Sequence, residues 1–436
     1  MLKKLFKIGA FAVLTGTLLF SSVQHTDATG SYTRVSGADR LSTAIEISKR
    51  GWPSGLDGER IVILARADNP ADALSAASLS GAKDAPILLT YPNSISNKVL
   101  DEIRRLNTKK VYVLGGEQAI SNTVINTLNS KGLEVERISG SQRYQTAFNI
   151  NKEAGSDSNT RAIVASGTSV ADALSASTDS AINGVPIYLV TKDTIPVNLP
   201  SNIKSVHIYG GTGVVSKKVE DTLRAKGISI KRYAGKDRYD TNRLALANFK
   251  PNNAILVRGT SVSTGKEDYP DSVAASGLAH RKNAAIVLSH NTNYLPNVRS
   301  LVNKLGVNSV FVLGGTNAIS NTLVSAYQSS YPDPIGKLQI TSLDLEKDKV
   351  VIKNVDSRDL NLTGWRLYSA DGQQNFTFPN NYVLKKGSSV TVVSGRGAID
   401  NPPSQLLWTK SYMWENDGDI ARVYNPLNGL VSEVRK

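Results

Sequence analysis

The 436-residue sequence contains no cysteine. That absence excludes a disulfide framework, thiolate metal sites and lipid attachment through an N-terminal cysteine. Histidine is nearly as scarce: of four in all, only His207, His280 and His290 lie beyond the first 28 residues. Aromatics make up 6% of the chain. Neither H-E-x-x-H nor G-x-S-x-G occurs, and neither G-x-x-x-x-G-K-[ST] nor G-x-G-x-x-G occurs. Long apolar runs are missing too, except for Ile8 to Phe20 behind Lys3, Lys4 and Lys7. That pattern, with small residues at Thr26-Asp-Ala28, predicts a secretory signal peptide over residues 1–28; an uncleaved apolar anchor is the alternative. No second segment approaches the ~20 residues of a membrane span, so the mature chain is expected to have no transmembrane segment. The tail from Val431 to Lys436 carries neither a hydrophobic stop nor a sortase-type motif, and non-covalent retention is expected.

What the chain has instead is repetition. Arg34-Val-Ser-Gly37-Ala-Asp-Arg40 returns as Arg137-Ile-Ser-Gly140-Ser-Gln-Arg143 and Arg232-Tyr-Ala-Gly235-Lys-Asp-Arg238. Ala71-Asp72-Ala-Leu-Ser75 returns as Ala171-Asp172-Ala-Leu-Ser175 and, altered, as Pro270-Asp271-Ser-Val-Ala274. A run ending in two glycines closes each copy, at Gly115-Gly116, Gly210-Gly211 and Gly314-Gly315. The first-marker glycines are 103 and 95 residues apart, so these are domain-sized duplications rather than short solenoid units. Repetition turns the question from which residue does chemistry to what is bound three times.

Within copy one, Ile61–Ala65, Pro86–Thr90 and Val111–Gly115 are unbroken apolar runs, which suits strands covered on both faces of a parallel sheet. Helical spacing fills the gaps over Leu41–Ser48, Asp72–Ser80, Ile95–Leu106 and Ser121–Leu128. Each copy is therefore expected to be a small three-layer α/β unit with right-handed crossovers. The double glycines lie where a strand meets a helix, with Ser121, Ser216 and Ser320 as expected N-caps. Glycine there serves a tight turn, and the helix-start N–H groups are an alternative anion site. Asp72, Asp172 and Asp271 fall near helix starts, where the dipole favours a carboxylate; helix capping is the leading role and ligand contact the rival. Arg40, Arg143 and Arg238 precede helices expected around Thr43, Thr146 and Thr241. A guanidinium there can clasp phosphate or carboxylate, or tie repeats together through a partner such as those aspartates.

These markers, in fixed order and three copies, resemble the cell wall-binding repeat 2 family over roughly residues 32–331. The resemblance implies three α/β units about a pseudo-threefold axis, anchoring an exported protein to anionic secondary polymers of a Gram-positive wall. Read as ligand contacts rather than as caps or ties, Arg40, Arg143, Arg238, Asp72, Asp172 and Asp271 are the candidate ligand-binding residues. Departures from the pattern, namely Gln142 in place of aspartate, the Ser263–Asp268 insertion and Pro270-Asp271-Ser-Val, predict unequal sites with copy one nearest the family.

After the joint at Pro332 to Gly336 the pattern changes. Short alternating runs at Val350–Asn354, Trp365–Tyr368, Phe376–Phe378, Val390–Val393 and Ile420–Tyr424 are separated by Asp371-Gly372, Lys386-Gly387 and Asn428-Gly429 turns, which describes a β-sandwich. Trp365, Trp408 and Trp414 supply its core. Leu362-Thr-Gly-Trp365, Phe378-Pro379 and Trp414 to Asp419 resemble the lamin-tail domain, an immunoglobulin-like sandwich. Asp417-Gly-Asp419 is read as a turn rather than a calcium site.

The expected organisation is a signal peptide (1–28), wall-binding repeats (29–135, 136–230 and 231–331), a linker (332–336) and a lamin-tail domain (337–436). Of the net charge of +14, residues 29–336 hold +10. That excess attracts polyanions such as teichoic-acid-type wall phosphates, acidic sugars, nucleic acid or anionic lipid. The functional expectation is a secreted, wall-associated binder that holds an anionic wall polymer multivalently and carries a C-terminal adhesion or recruitment domain of unknown partner. No catalytic residue, metal or cofactor is expected. The rival is a wall-remodelling or nucleic-acid-processing enzyme or accessory factor, separated from the binder by turnover of wall or DNA.

Overall fold

The computed structural model describes residues 31–261, 269–328, 336–427 and 429–436. The expected signal peptide, the Ser263–Asp268 insertion, nearly all of the linker and Asn428 lie outside the described residues.

Copy one contains β1 (Ser31–Val35), α1 (Arg40–Gly51), β2 (Ile61–Arg66), α2 (Ala76–Ala82), β3 (Ile87–Thr90), α3 (Asn97–Arg105), β4 (Lys110–Leu114) and α4 (Asn122–Asn129). Copy two follows with β5 (Glu134–Ile138), α5 (Arg143–Glu153), β6 (Arg161–Ser166), α6 (Val170–Asn183), β7 (Ile187–Val190), β8 (Ser205–Tyr209) and α7 (Lys217–Ala225). Copy three has β9 (Ser229–Tyr233), α8 (Arg238–Leu246), β10 (Asn253–Arg258), α9 (Pro270–Lys282), β11 (Ala284–Ser289), α10 (Pro296–Leu305), β12 (Ser309–Leu313) and α11 (Asn321–Gln328). The continuous apolar runs are buried strands: β2 and β10 are enclosed along almost their whole length. Between β7 and β8, where the other copies place a helix, the connection is shorter (191–204, against 91–109 and 290–308) and carries Pro200 a few residues after Pro196, and no helix forms.

Every sheet borrows its last strand from the next copy. The orders are β3-β2-β4-β5, β7-β6-β8-β9 and β11-β10-β12-β1, with all neighbours parallel. The third sheet therefore ends on the first strand of the chain, with Ser31 opposite Ser309 and Val35 opposite Leu313. The sequence repeat and the sheet unit are offset, since the divisions after residues 135 and 230 pass through β5 and β9. The three copies form a closed ring.

At the centre of the ring α2, α6 and α9 pack on one another, which explains why the Ala-Asp-Ala-Leu-Ser stretches are so poor in large side chains. Gly81 rests against the Ala181 carbonyl, and a Cβ on Gly277 would stand 2.9 Å from the Ala85 carbonyl oxygen and from the Trp52 ring. Polar ties cross the copies at the same level. The Ile286 amide donates to Thr178 Oγ1 at 2.9 Å, and His280 Nδ1 lies 2.9 Å from the Ala181 carbonyl oxygen.

The C-terminal segment comprises β13 (Leu338–Asp344), β14 (Lys349–Asn354), β15 (Leu360–Asn361), β16 (Arg366–Ser369), β17 (Gln374–Thr377), β18 (Val383–Leu384), β19 (Ser389–Ser394), β20 (Gln405–Thr409), β21 (Ile420–Tyr424) and β22 (Leu430–Arg435). Two four-stranded sheets, β13-β14-β19-β20 and β17-β16-β21-β22, form a sandwich with the short β15–β18 pair. All neighbours are antiparallel except β19 and β20. Trp365 and Trp414 are buried between the sheets, and Trp408 packs edge-on against Trp414 at 5.7 Å. Asp419 is buried and accepts from Ser369 Oγ and the Ala370 and Asp371 amides, bracing the turn between β16 and β17.

Candidate inter-copy binding clefts

In an open parallel sheet, ligands bind beyond the carboxyl ends of the strands where the strand order reverses. In the first sheet the chain moves from β2 outward to β3 and then returns to the other side of β2 as β4, so the reversal lies between β2 and β4. A cleft of about 840 Å³ opens there. Arg66 and Asp72 line it from beyond β2, Gly116 to Ala119 from beyond β4, and Gly140 to Arg143 from the opening loop of copy two. The same place between copies three and one holds a cleft of about 390 Å³, lined by Arg258, Asp271, Gly315 to Ala318 and Gly37 to Arg40. The structure thus brings Asp72 together with Arg143, and Asp271 together with Arg40. Each pair joins the aspartate of one copy to the arginine of the next.

The opening motif can be explained residue by residue. Its first arginine latches the double-glycine turn. Arg34 donates to the Gly314, Gly315 and Ile319 carbonyls, Arg137 to Gly115 at 2.7 Å, and Arg232 to Gly210 at 2.8 Å and Val215 at 3.0 Å. Burial lowers the Arg34 and Arg137 pKa values below the usual arginine range. The motif glycine donates its amide to a threonine six residues on, in the first turn of the following helix: Gly37 to Thr43, Gly140 to Thr146 and Gly235 to Thr241. The second arginine begins the helix. Arg40 donates to the Ala67 carbonyl, Arg143 to Gly167 at 2.7 Å and Arg238 to Gly259 at 3.0 Å, so part of each guanidinium is held by its own copy. These arginines therefore stand at the first helical position, earlier than the threonines expected from the sequence. Asp39 and Asp237 cap α1 and α8 by accepting from the Ser42 and Asp240 amides, whereas Gln142 gives α5 no side-chain cap.

Of the three aspartates expected near helix starts, Asp172 and Asp271 stand in the first turns of α6 and α9, while Asp72 falls short of α2; all three carboxylates also reach the first glycine of a double-glycine turn. Asp72 precedes α2, which begins only at Ala76, and its carboxylate lies 2.6 Å from where a Cβ of Gly115 would be. Asp172 stands 2.9 Å from the same point on Gly210, and Asp271 packs against Gly314 in the same way. The three glycines have φ of +98°, +109° and +86°, a region costly for any L side chain. The first glycine of each pair is thus required twice, for the turn and for the carboxylate beside it. Burial raises the Asp72 pKa, opposed by its hydrogen bond with Thr146 and by the Arg143 and Arg66 charges. Asp172 accepts from Ser169 Oγ at 2.7 Å.

The expected serine caps are realised unevenly. Ser320 Oγ accepts from the Leu323 amide at 3.2 Å. Ser121 and Ser216 occupy the cap position without a side-chain cap bond, although in all three copies the serine amide donates to a preceding carbonyl, of Pro92, Lys192 and Asn291.

The junctions are unequal at a position that the sequence departures did not name. Arg66 and Arg258 are matched in copy two by Ser166, whose hydroxyl turns back to accept from the Thr168 and Ser169 amides. Arg66 also pairs with Asp68 through two contacts at 2.6 and 3.2 Å. The arginine at the end of β2 and β10 is a cleft residue that the sequence patterns missed. Its signal was the shared final position of the runs Ile61–Arg66 and Asn253–Arg258.

Fold and clefts define a ring of α/β units with polar inter-copy clefts and a β-sandwich appendage. The family model described as Cell wall binding domain 2 matches residues 34–125, 137–220 and 232–324, and the chain belongs to that family. The Lamin Tail Domain model matches residues 332–436. Among curated proteins, the N-acetylmuramoyl-L-alanine amidase LytC of Bacillus subtilis is 30% identical over 317 residues, 71% of this chain and 60% of the amidase. The amidase enhancer of the same organism is 29% identical over 349 residues, 78% of this chain and 47% of the enhancer. This chain thus spans less than two thirds of the length of either relative. Among solved structures, Cwp8 of Clostridium difficile matches with a TM-score of 0.61 at 29% identity, covering 67% of this chain and 50% of Cwp8. Cwp6 matches with a TM-score of 0.60 at 25% identity, covering 69% and 47%. The cell wall binding repeats associate this protein with the cell wall. No helix among the described residues is long and apolar enough to cross a membrane.

Proposed function

We propose that the chain is exported and holds itself to the wall without a covalent bond, by engaging an anionic secondary wall polymer at several inter-copy clefts at once. The observation that carries this reading is the recurrence of one polar cleft, with an arginine from each of two copies, at the switch point of two junctions in a closed ring. Guanidinium groups suit phosphate or carboxylate repeats of a polymer. Individually weak sites on one rigid ring gain strength through effective concentration when the polymer spans them. The lamin-tail sandwich then displays or recruits a second partner, and the protein acts as a binder rather than an enzyme. Its scarce histidines support this. His280 is tied to a backbone carbonyl, and His290 Nδ1 accepts from the Thr292 and Asn293 amides.

The test is sedimentation of the full chain with purified walls, intact and stripped of their anionic polymer, at low and high salt. Retention on intact walls is expected, with loss on stripped walls, release by salt and several-fold weaker retention of the Arg66→Ala/Arg258→Ala variant. Equal retention on both kinds of wall at low ionic strength overturns the reading, as does release of wall fragments by the purified chain.

A further inference from the structure

The junction clefts are nearly balanced in charge, so the cationic excess must lie elsewhere. Residues 231–336 carry 12 basic and 6 acidic side chains, against 23 and 19 for residues 29–230. Part of that excess faces a different cleft, of about 510 Å³, between copies two and three. It lies alongside β9 and the end of α8, away from the strand-end clefts. Lys231, Lys250 and Arg161 line it together with a single carboxylate, Asp179. Asp179 is only 3% exposed and is already neutralised by Arg161 through contacts at 2.7 and 3.0 Å. Lys231 and Lys250 are exposed, and no ion pair is formed by either among the described residues.

This cleft is peculiar to copy two. By repeat alignment, Arg161, Asp179, His207, Tyr209 and Tyr233 take the places of Ile61, Leu79, Tyr112, Leu114 and Ile138 in copy one, and of Asn253, Leu278, Phe311, Leu313 and Val35 in the ring's third sheet. Two sister units of the same fold therefore form without the set, so folding does not require it. Lys231 stands where copy one has Glu136, a residue that pairs with Lys110 at 2.7 Å.

We propose that this cleft is a second, unrepeated site for one acidic sugar unit of a glycan. The chemistry of the walls selects that class. Tyr233 and Phe249 offer aromatic surface to the C–H face of a pyranose. Asn183, Asn248 and the Asp179 carboxylate supply donors and acceptors for ring hydroxyls, with Asn183 Nδ2 already oriented on Asp179 Oδ1 at 2.8 Å. Lys231 and Lys250, neither of them in an ion pair among the described residues, supply the counter-charge for a carboxylate or phosphate on the sugar. Tyr233 is fixed by Tyr209 at 5.1 Å, by the His207 ring edge at 5.5 Å and by Lys231 Nζ at 4.9 Å. The site is thus preorganised. It deepens the wall-polymer reading and rests on it for the origin of the glycan.

The experiment is isothermal titration of the full chain carrying Arg66→Ala/Arg258→Ala, which weakens the junction clefts, with hexagalacturonate, neutral chitohexaose and inorganic phosphate. Hexagalacturonate should bind at one site at least tenfold more tightly than either of the others. Adding Lys231→Glu/Lys250→Glu should weaken it by about tenfold or more, as expected for reversing two exposed charges, with the unfolding midpoint unchanged. Lys231→Gln/Lys250→Gln should fall between. Equal binding of chitohexaose, equal binding of phosphate, or indifference to the lysine variants overturns the proposal. Failure here with intact wall sedimentation would sink only this site. Equal retention on stripped walls beside a surviving titration would sink only the wall-polymer reading.

Discussion

At the scale of single residues, the two glycines of each pair separate by function although the sequence prints them alike. Gly115 combines φ of +98° with the Asp72 carboxylate 2.6 Å from its missing Cβ, whereas Gly116 has nothing within 4 Å of that position. Gly115→Ala must strain the backbone and displace a buried carboxylate held by Thr146. It should destabilise the chain by about 2 kcal/mol or more, and Gly116→Ala should stay within about 0.5 kcal/mol. Urea unfolding of the two variants checks this, and equal losses would remove the assigned role of the carboxylate. The double glycine was legible as a strand-to-helix turn because turn chemistry is local. The partner of the first glycine was not, because Asp72 lies 43 residues earlier in the chain and only the packing of α2 brings it there. Proximity to a helix start made capping the natural inference, and the structure shows the carboxylate turned toward the next strand end instead.

At the scale of elements, the strands and helices of copy one follow the apolar runs to within a few residues, since fully buried parallel strands and amphipathic helices leave direct periodic signatures. Helix α2 is the exception and begins at Ala76 rather than Asp72. The borrowed strands were less readable. A strand such as β5, with its exposed and half-buried side chains, lacks the continuous apolar run of a central strand, and its partner is set by tertiary packing. The helix starts show how far one cap matters. Asp39 accepts from the Ser42 amide and is held by Lys98, whose hydrogen bond lowers its pKa to about 2. In α5 the same place is Gln142, with no side-chain cap. Gln142→Asp should therefore stabilise the protein by about 0.5–1 kcal/mol near neutral pH. A capping carboxylate has its pKa lowered by folding, so the gain should be fully present above about pH 4, the unfolded value, and disappear as the pH falls through the folded value. Urea midpoints of variant and parent across that range give the answer; a gain that persists unchanged into strong acid would mean that something other than a charged cap is responsible.

At the scale of the whole molecule, strand exchange makes the ring a single cooperative object. Copy three lacks an edge strand of its own and completes its sheet with β1, whose Arg34 also latches the Gly314-Gly315 turn that lines the cleft between copies three and one. Burial of Tyr32 in that position raises its pKa to about 12, and Val35 is 7% exposed. A chain beginning at Gly37 would lose the five-residue ladder on β12, the Arg34 latch and the burial of both side chains. The two side chains alone are worth about 3 kcal/mol or more. Such a chain should unfold at lower temperature, and the β12 amides should exchange with deuterium far faster than those of β4 in the intact first sheet. Because the missing piece is one parallel edge strand, a synthetic peptide of residues 29–36 should refill the groove in trans, as strand addition does elsewhere, and restore both slow exchange at β12 and retention on walls. The same peptide with Arg34→Ala should restore the ladder but leave the turn at Gly314-Gly315 unlatched, so exchange would recover while wall retention recovers only in part. If the shortened chain were as stable as the full one and ignored the peptide, the ring would not be closed by its first strand, and the three copies would have to be treated as independent binders.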